Sequence, residues 1–289
     1  MARQVNINGA LTPPAEARIS VFDRGFLYGD SVYEVLRTYN RKPFALAEHQ
    51  ARLERSAAEL ELPLPDRAWL EREIHRTLEA AGNEESYCRI IVTRGSGPIS
   101  LDPSLARDPV TVILVQPYAP FPERLYTAGL RVHIPRIRRN LRAAVDPAIK
   151  SGNYLNSILA LAEARRAGFD DALMLDVEGR VTEASAANVF VLRDGVLCTP
   201  RLETGILEGV TRGLVLRLVR EHDLPSAECD LYPRDLEAAE EVLLTSTLRE
   251  AMSVVQIDDR TVGSGQPGPA CSRVRGWLRE HALASVREE

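Results

Sequence analysis

The sequence of 289 residues contains very little lysine: of its 36 basic residues, only Lys42 and Lys150 are lysine, and the other 34 are arginine. Chemistry that needs a neutral amine nucleophile, such as Schiff-base formation, therefore has two side-chain candidates, because arginine stays protonated. Lys42 lies at a predicted hairpin tip, where an exposed lysine is ordinary. Lys150 has small and apolar neighbours and precedes a predicted helix, so it is the stronger candidate.

Other absences exclude whole classes of protein. The net charge of −5 argues against nucleic acid or an anionic membrane as a partner, since both attract a positive surface. The longest apolar runs are far shorter than the roughly 20 residues of a membrane-spanning helix, and the N-terminus shows no secretory signal. We therefore expect a cytoplasmic protein. The four cysteines form no CxxC pair and the five histidines form no HExxH motif, so no metal site is predicted.

The hydrophobic pattern predicts a mixed protein of helices and strands. Helical spacing predicts amphipathic helices at 46–60, 69–81, 155–167 and 209–221. In the third of these, Leu155, Ile158 and Leu159 share the face that is expected to be buried. Short runs rich in Val and Ile predict strands before, between and after the helices.

Three prolines within residues 117–123 indicate a linker between two domains. The chain is thus predicted to be an α/β (α+β) protein of two domains. The predicted boundaries are a small N-terminal domain at 1–117, a linker at 118–123 and a large C-terminal domain at 124–289.

Several polar segments are candidates for binding an anion. Gly209 opens a predicted helix, and the free N–H groups and positive dipole end of such a helix attract phosphate, with the Thr211 hydroxyl nearby. Ser246 and Thr247 place two hydroxyls directly after an apolar strand. Arg52 could add a fork-shaped cation. Each feature alone also has an ordinary explanation, namely helix capping or a solvated arginine.

Glu183 follows a turn between two predicted strands. A carboxylate at such a position is either exposed to solvent or has a specific partner. If it faced a pyridine nitrogen, it would keep that nitrogen protonated and make the ring withdraw electrons.

One long set of segments matches a known family. Lys150-Ser151-Gly152-Asn153-Tyr154-Leu155-Asn156-Ser157 is followed, in order, by Gly168-Phe169-Asp170-Asp171, Val181-Thr182-Glu183, Asn188-Val189-Phe190 and Thr199-Pro200. These segments closely resemble the class IV (fold type IV) pyridoxal-phosphate aminotransferases, and the branched-chain aminotransferases among them. The family also includes D-amino-acid aminotransferases and aminodeoxychorismate lyase. The resemblance implies pyridoxal 5′-phosphate as cofactor, the two-domain fold of this family and a homodimer.

The resemblance also implies roles for individual residues. Lys150 would form the Schiff base with the cofactor and carry the proton between Cα and C4′. Tyr154 would neighbour the ring oxygen, and Glu183 would be the partner of the pyridine nitrogen. The positions that would hold the phosphate or line the cofactor are Arg52, Leu207, Gly209, Val210, Thr211, Ser246 and Thr247. The positions that would bind the substrate are Tyr28, Tyr33, Arg37, Tyr87, Arg89 and Leu248.

The resemblance favours transamination between a hydrophobic L-amino acid, branched-chain or aromatic, and 2-oxoglutarate. Gly152-Asn153-Tyr154 is nearer to the branched-chain motif, and Ile99 and Leu101 stand where D-specific enzymes carry Arg and His. Tyr33-Glu34-Val35 is more similar to the D-specific type, so D-amino-acid or (R)-amine transamination is the main alternative. Aminodeoxychorismate lyase activity and a binding protein with an idle Lys150 are further alternatives.

Overall fold

A computed structural model describes residues 2–288, which form two compact units. The first unit contains the chain up to Ala119, the short segment Ile149–Asn153 and the chain from Ala282. The second unit contains Pro120–Ala148 and Tyr154–His281. The domain boundaries predicted above stay a prediction. The five residues around Lys150, however, pack with the first unit although they lie well beyond its main range.

The first unit is a sheet covered by helices. Its described strands are β1 Gln4–Ile7, β2 Ala10–Thr12, β3 Ser31–Tyr39, β4 Lys42–Pro43, β5 Ser86–Thr93 and β6 Val110–Pro117. Its described helices are α1 Arg24–Tyr28, α2 Leu46–Glu59 and α3 Arg67–Ala81, with a 3₁₀ turn at Pro103–Leu105. The sheet order is β2-β1-β6-β5-β3-β4.

Helices α2 and α3 pack their apolar faces on one side of this sheet. Leu53 of α2 and Ile74 of α3 are almost fully buried against Val32, Leu36 and strand β5. Because side chains alternate along a strand, the even-numbered residues of β3 face these helices and the odd-numbered ones face the other side. This alternation decides on which face each candidate site residue lies.

The second unit is built on a larger, mixed sheet. Its described strands are β7 Leu130–His133, β8 Asp171–Leu175, β9 Val181–Ala184, β10 Asn188–Arg193, β11 Val196–Pro200, β12 Ser226–Cys229, β13 Glu241–Ser246, β14 Glu250–Ile257 and β15 Arg260–Thr261. Its described helices are α4 Arg124–Thr127, α5 Leu155–Arg166, α6 Val210–Glu221, α7 Pro233–Glu237 and α8 Pro269–Glu288, with a 3₁₀ turn at Leu202–Thr204. The last residues of α8 belong to the first unit.

The four predicted helices are confirmed, each within two residues of its predicted ends. The predicted burial of the third helix is wrong. In α5 the apolar residues Leu155, Ile158 and Leu159 are more than half exposed, whereas Ala160 and Ala164 pack against β8. The reason is that small side chains allow the helix to approach the sheet closely, which turns the large apolar face outward.

Two features that would matter for binding are absent from the described residues. Among residues 2–288, no helix is long and apolar enough to cross a membrane. Over the same residues, the structure groups no three His, Cys, Asp or Glu side chains in an arrangement that could hold a metal ion.

Candidate active site

Lys150 is held by its backbone along the first residues of β3, on the same edge that pairs with β4 further along the strand. Its N–H donates to Oγ of Ser56 on α2 at 3.1 Å, and its carbonyl accepts from the N–H of Tyr33 at 2.9 Å. The next residue forms a bridge with Val32, and the N–H of Gly152 donates to Ser31 at 2.9 Å. The side chain of Lys150 therefore projects from a fixed segment of backbone.

Four of the predicted substrate-binding residues share one face of the first sheet. The antiparallel register pairs Arg37 with Tyr87, Val35 with Arg89 and Tyr33 with Ile91. Directly opposed residues in a sheet point to the same side, so these side chains lie on the face away from α2 and α3. The structure thus brings together Tyr33, Arg37, Tyr87 and Arg89.

The ring of Tyr33 connects this face with Lys150. Nζ of Lys150 lies 4.6 Å from the ring centroid, and Cζ of Arg89 lies 4.0 Å from it. Tyr33 itself is buried, with 5% of its surface exposed. An amine and a guanidinium therefore share one aromatic ring, which places a fixed positive charge beside the candidate nucleophile.

Arg37 and Tyr28 have more peripheral surroundings within the first unit. The guanidinium of Arg37 lies 3.9 Å from the ring centroid of Tyr118 and 4.4 Å from that of Tyr39. Tyr28 ends α1, where Cζ of Arg24 lies 5.1 Å from its ring centroid. Their roles in substrate binding stay predictions.

Arg52 is paired with a buried carboxylate on the helix-covered side of the sheet. Its Nε and Nη2 donate to the two oxygens of Glu34, both at 2.7 Å, and Nδ1 of His49 lies 2.7 Å from Oε2 of the same carboxylate. Glu34 is fully buried, and His49 is 1% exposed. The guanidinium is therefore oriented by a fork-shaped ion pair.

The charges of this cluster depend on one another. Burial alone would raise the pKa of Glu34, but the charge and hydrogen bonds of Arg52, aided by His49, hold that pKa at about 2. Burial lowers the pKa of His49 below 6.5, and Arg52 and Lys150 act in the same direction, while Glu34 opposes them. The cluster thus consists of a carboxylate, a guanidinium and a neutral imidazole near pH 7.

Glu183 lies on β9 in the second unit and is buried, with 6% of its surface exposed. Its Oε1 accepts from Nε of Arg139 at 3.0 Å and lies 2.7 Å from Nη2 of the same guanidinium. Its Oε2 accepts from Nδ2 of Asn188 and from the N–H of Leu207, both at 3.1 Å. All these partners are donors, which suits a carboxylate that only accepts when it is ionised.

Arg139 also connects Glu183 to the start of α5. Its Nη1 donates to Oδ1 of Asn156 at 3.2 Å, and Nδ2 of Asn156 donates back to the carbonyl of Arg138 at 2.8 Å. Tyr154 is the residue immediately before α5 and is half-buried. The carboxylate is therefore connected through Arg139 to the first turn of α5, which directly follows Tyr154 in the chain.

The start of α6 has the properties of an anion site. Gly209 precedes the helix and provides no side-chain cap, so the first N–H groups of a 12-residue helix lack a capping side chain. Val210 and Thr211 form its first turn and are half-buried. A Cβ at position 209 would lie 2.0 Å from Oδ1 of Asn188, so only glycine fits there.

Ser246 is the last residue of β13, and Thr247 and Leu248 follow it in the turn to β14. The two strands pair as far as Ser246 opposite Glu250, and the three residues are half-buried. Helix α6 packs against β13. The second unit thus brings the predicted residues Glu183, Leu207, Gly209, Val210 and Thr211 together near Asn188, with Ser246 to Leu248 at the end of β13.

Sequence reasoning missed four residues of these clusters: Glu34, His49, Arg139 and Asn188. Arg139 stands among several arginines, and nothing in the local sequence separates it from Arg138. Asn188 lies in a segment that matched the family, which was a usable signal. Glu34 and His49 have no local signal, because their pairing with Arg52 joins β3 to α2.

Comparison with known proteins shows which family the chain belongs to. The family model described as Amino-transferase class IV matches residues 31–257. A putative branched-chain-amino-acid aminotransferase of Methanocaldococcus jannaschii is 36% identical over 96% of each chain, and a D-alanine aminotransferase of Bacillus licheniformis is 33% identical over 98% of each. A solved branched-chain amino acid aminotransferase from T.th., crystallised with pyridoxamine 5′-phosphate, superposes with a TM-score of 0.92 at 31% identity, covering 96% of this chain and 93% of the other.

The described residues also fit the cofactor of that family. A helix start without a capping side chain suits a phosphate, a buried carboxylate suits a protonated ring nitrogen, and a primary amine suits an aldehyde. The family model covers most of the chain, and the relatives match it nearly end to end. The chain therefore belongs to the class IV aminotransferases, enzymes that depend on pyridoxal 5′-phosphate.

Proposed function

We propose that this enzyme transfers the amino group of a hydrophobic L-amino acid, branched-chain or aromatic, to 2-oxoglutarate. The observation that carries the proposal is the sheet face on which Arg89 and Lys150 both lie against the Tyr33 ring. Arg89 gives a cation for the second carboxylate of a dicarboxylic oxo acid. The aromatic and apolar side chains beside it suit a hydrophobic amino acid.

The bound cofactor supplies an electron sink conjugated to Cα of the amino acid. Lys150 would hold the cofactor through its amine and would carry the proton between Cα and C4′. Glu183 would bind the ring nitrogen, the start of α6 with Ser246 and Thr247 would bind the phosphate, and Arg52, oriented by Glu34, would add a cation. Tyr154 would lie beside the ring oxygen, and Tyr28, Arg37, Tyr87 and Leu248 would line the substrate.

The preference for the L-isomer is supported by the loop of residues 95–107. Ile99 and Leu101 are 75% and 81% exposed in this loop and offer no cation to a substrate carboxylate. The D-isomer alternative is supported by the similarity to the Bacillus licheniformis enzyme.

The absorption spectrum of the cofactor-loaded enzyme decides between these substrates. We expect L-leucine, but not D-alanine, to convert the visible band to that of pyridoxamine 5′-phosphate. Conversion by D-alanine alone would contradict the L-preference and leave transamination intact. Release of pyruvate from aminodeoxychorismate over many turnovers, without an amino acceptor, would favour the lyase.

The role of Lys150 is tested by Lys150→Ala, with Lys42→Ala as the matched control because it removes the only other lysine. We expect Lys150→Ala to abolish turnover while circular dichroism stays unchanged, and Lys42→Ala to keep full activity. Appreciable turnover of Lys150→Ala would disprove the proposed role.

The enzyme is proposed to be a homodimer. Phe22 and Phe26 are more than half exposed, and the Asp23–Ser96 bridge places them beside the loop that carries Ile99 and Leu101. The exposed apolar face of α5 is a second such surface. Burial of these side chains against a second copy would remove them from water. Sedimentation velocity is expected to give twice the mass of 32.0 kDa, and a monomer would contradict the proposal. A cytoplasmic location also stays a prediction.

A further inference from the structure

Asn188 is the first residue of β10 and lies at the centre of the Glu183 network. The strand register pairs it with Glu183 on β9 and with Thr245 on β13. Paired residues point to the same side of a sheet, so these three polar side chains form one row across it. Asn188 is 5% exposed and therefore must find its hydrogen bonds within the protein.

The orientation of the Asn188 amide follows from its neighbours. Nδ2 faces two acceptors, Oε2 of Glu183 at 3.1 Å and the carbonyl of Leu207 at 3.0 Å. Oδ1 points towards Gly209, where a Cβ would lie only 2.0 Å away. Only the nitrogen can donate to both oxygens, which fixes the amide in this orientation.

Leu207 closes the connection between the carboxylate and the helix. Its N–H donates to Oε2 of Glu183, and its carbonyl accepts from Asn188. Two residues later, Gly209 directly precedes the first turn of α6. One asparagine thus joins the carboxylate proposed for the ring nitrogen to the helix start proposed for the phosphate.

We propose that Asn188 is a positioning residue that fixes Glu183 relative to the start of α6, so that both ends of the cofactor are recognised together. This inference rests on the proposed roles of Glu183 and α6. An asparagine suits the task because it is neutral and donates. An aspartate would lose the donor and place a second negative charge against Glu183.

The chain contains a matched control for the substitution. Asn6 is also buried, at 1% exposure, and its Nδ2 donates to Oε2 of a glutamate, Glu73, at 2.7 Å. This pair joins β1 to α3 and belongs to neither proposed binding cluster. Asn6→Asp therefore introduces the same chemical conflict as Asn188→Asp without touching Glu183.

The test compares two probes in the cofactor-free protein, namely pyridoxal 5′-phosphate and its 1-deaza analogue, in which carbon replaces the ring nitrogen. Titration gives the ratio of their dissociation constants, which measures the contact of Glu183 with the nitrogen. We expect Asn188→Asp to reduce the wild-type preference for the nitrogen-containing probe by roughly tenfold, as for a charge-assisted hydrogen bond. Asn6→Asp is expected to keep the wild-type ratio even if it melts earlier.

The outcomes separate this inference from the proposed function. Wild-type protein that does not bind pyridoxal 5′-phosphate would contradict the proposed function itself. If Asn188→Asp shows the same ratio of dissociation constants as the wild type, the proposed role of Asn188 is overturned and the proposed function is unaffected. If Asn188→Asp does not fold, Asn188→Ser replaces it, since serine removes the bridge without adding charge, and the same change in ratio is expected.

Discussion

Two buried glutamates of this enzyme, Glu34 and Glu183, have similar partners and different geometry. Each accepts from an arginine and from a second side chain, His49 or Asn188. Arg52 donates to both oxygens of Glu34 at 2.7 Å, whereas Arg139 contacts one oxygen of Glu183, Oε1. The other oxygen of Glu183 accepts from neutral donors at 3.1 Å.

This difference separates a carboxylate that is bound within the protein from one suited to a ligand. Glu34 is fully buried, and short charged contacts on both oxygens commit it to Arg52. Neutral hydrogen bonds are weaker and longer, so Oε2 of Glu183 can share or exchange its donors at less cost. Glu34 thus orients the cation of Arg52, whereas Glu183 can present its negative charge to a ligand.

The largest expected effect comes from breaking the tighter pair. Glu34→Gln leaves the buried guanidinium of Arg52 without its counter-charge, which costs about 3–5 kcal/mol for such pairs. The thermal midpoint of the cofactor-free protein is then expected to fall by roughly 10 °C. Glu73→Gln serves as the control, because its partner Arg76 is half exposed. The thermal midpoint of this variant should fall much less. An equal fall of the thermal midpoint in both variants would contradict the view that Glu34 is committed to Arg52.

We expect substitution of Glu183, the carboxylate paired with Arg139, to affect catalysis more than stability. We expect Glu183→Gln to retain the cofactor and to slow the half-reaction with L-leucine by about 10- to 100-fold, the value of one charged hydrogen bond. Its loss of thermal stability should be smaller than that of Glu34→Gln. Stopped-flow absorbance measures the rate. An unchanged rate would show that Glu183 does not act on the ring nitrogen.

The smallest expected effect is a pH dependence of stability that arises from the cluster of Glu34, Arg52 and His49. The folded pKa of His49 lies below 6.5, so the unfolded chain binds more protons below that pH and stability falls as the solution becomes more acidic. Glu34 contributes stability above about pH 4.5, which is lost as the pH falls through its folded pKa of about 2.

Thermal melts between pH 8 and pH 5 isolate the contribution of His49. The midpoint of the wild type should decline over this range, and that of His49→Gln should decline less, because glutamine keeps a donor for Glu34 but does not titrate. If the thermal midpoints of the wild type and His49→Gln decline equally with falling pH, His49 is not the cause of the decline.

The amphipathic helices could be predicted because their apolar spacing is a local property of the chain. The burial of α5 could not, since Leu155, Ile158 and Leu159 look like a core face in sequence and are exposed in this chain. The expectation that large apolar residues point inward failed where Ala160 and Ala164 let the helix lie close to β8.

The sequence by itself determined the family: the pattern of segments around Lys150 gave the cofactor and the reaction class, and the presence of only two lysines made Lys150 the predicted amine. Only the tertiary structure decided the partners of the charged groups. Glu183 and Arg139 are 44 residues apart, and Glu34 and Arg52 are 18 apart. Such pairs depend on strand register and burial, which no local spacing encodes, because they arise when distant segments pack together.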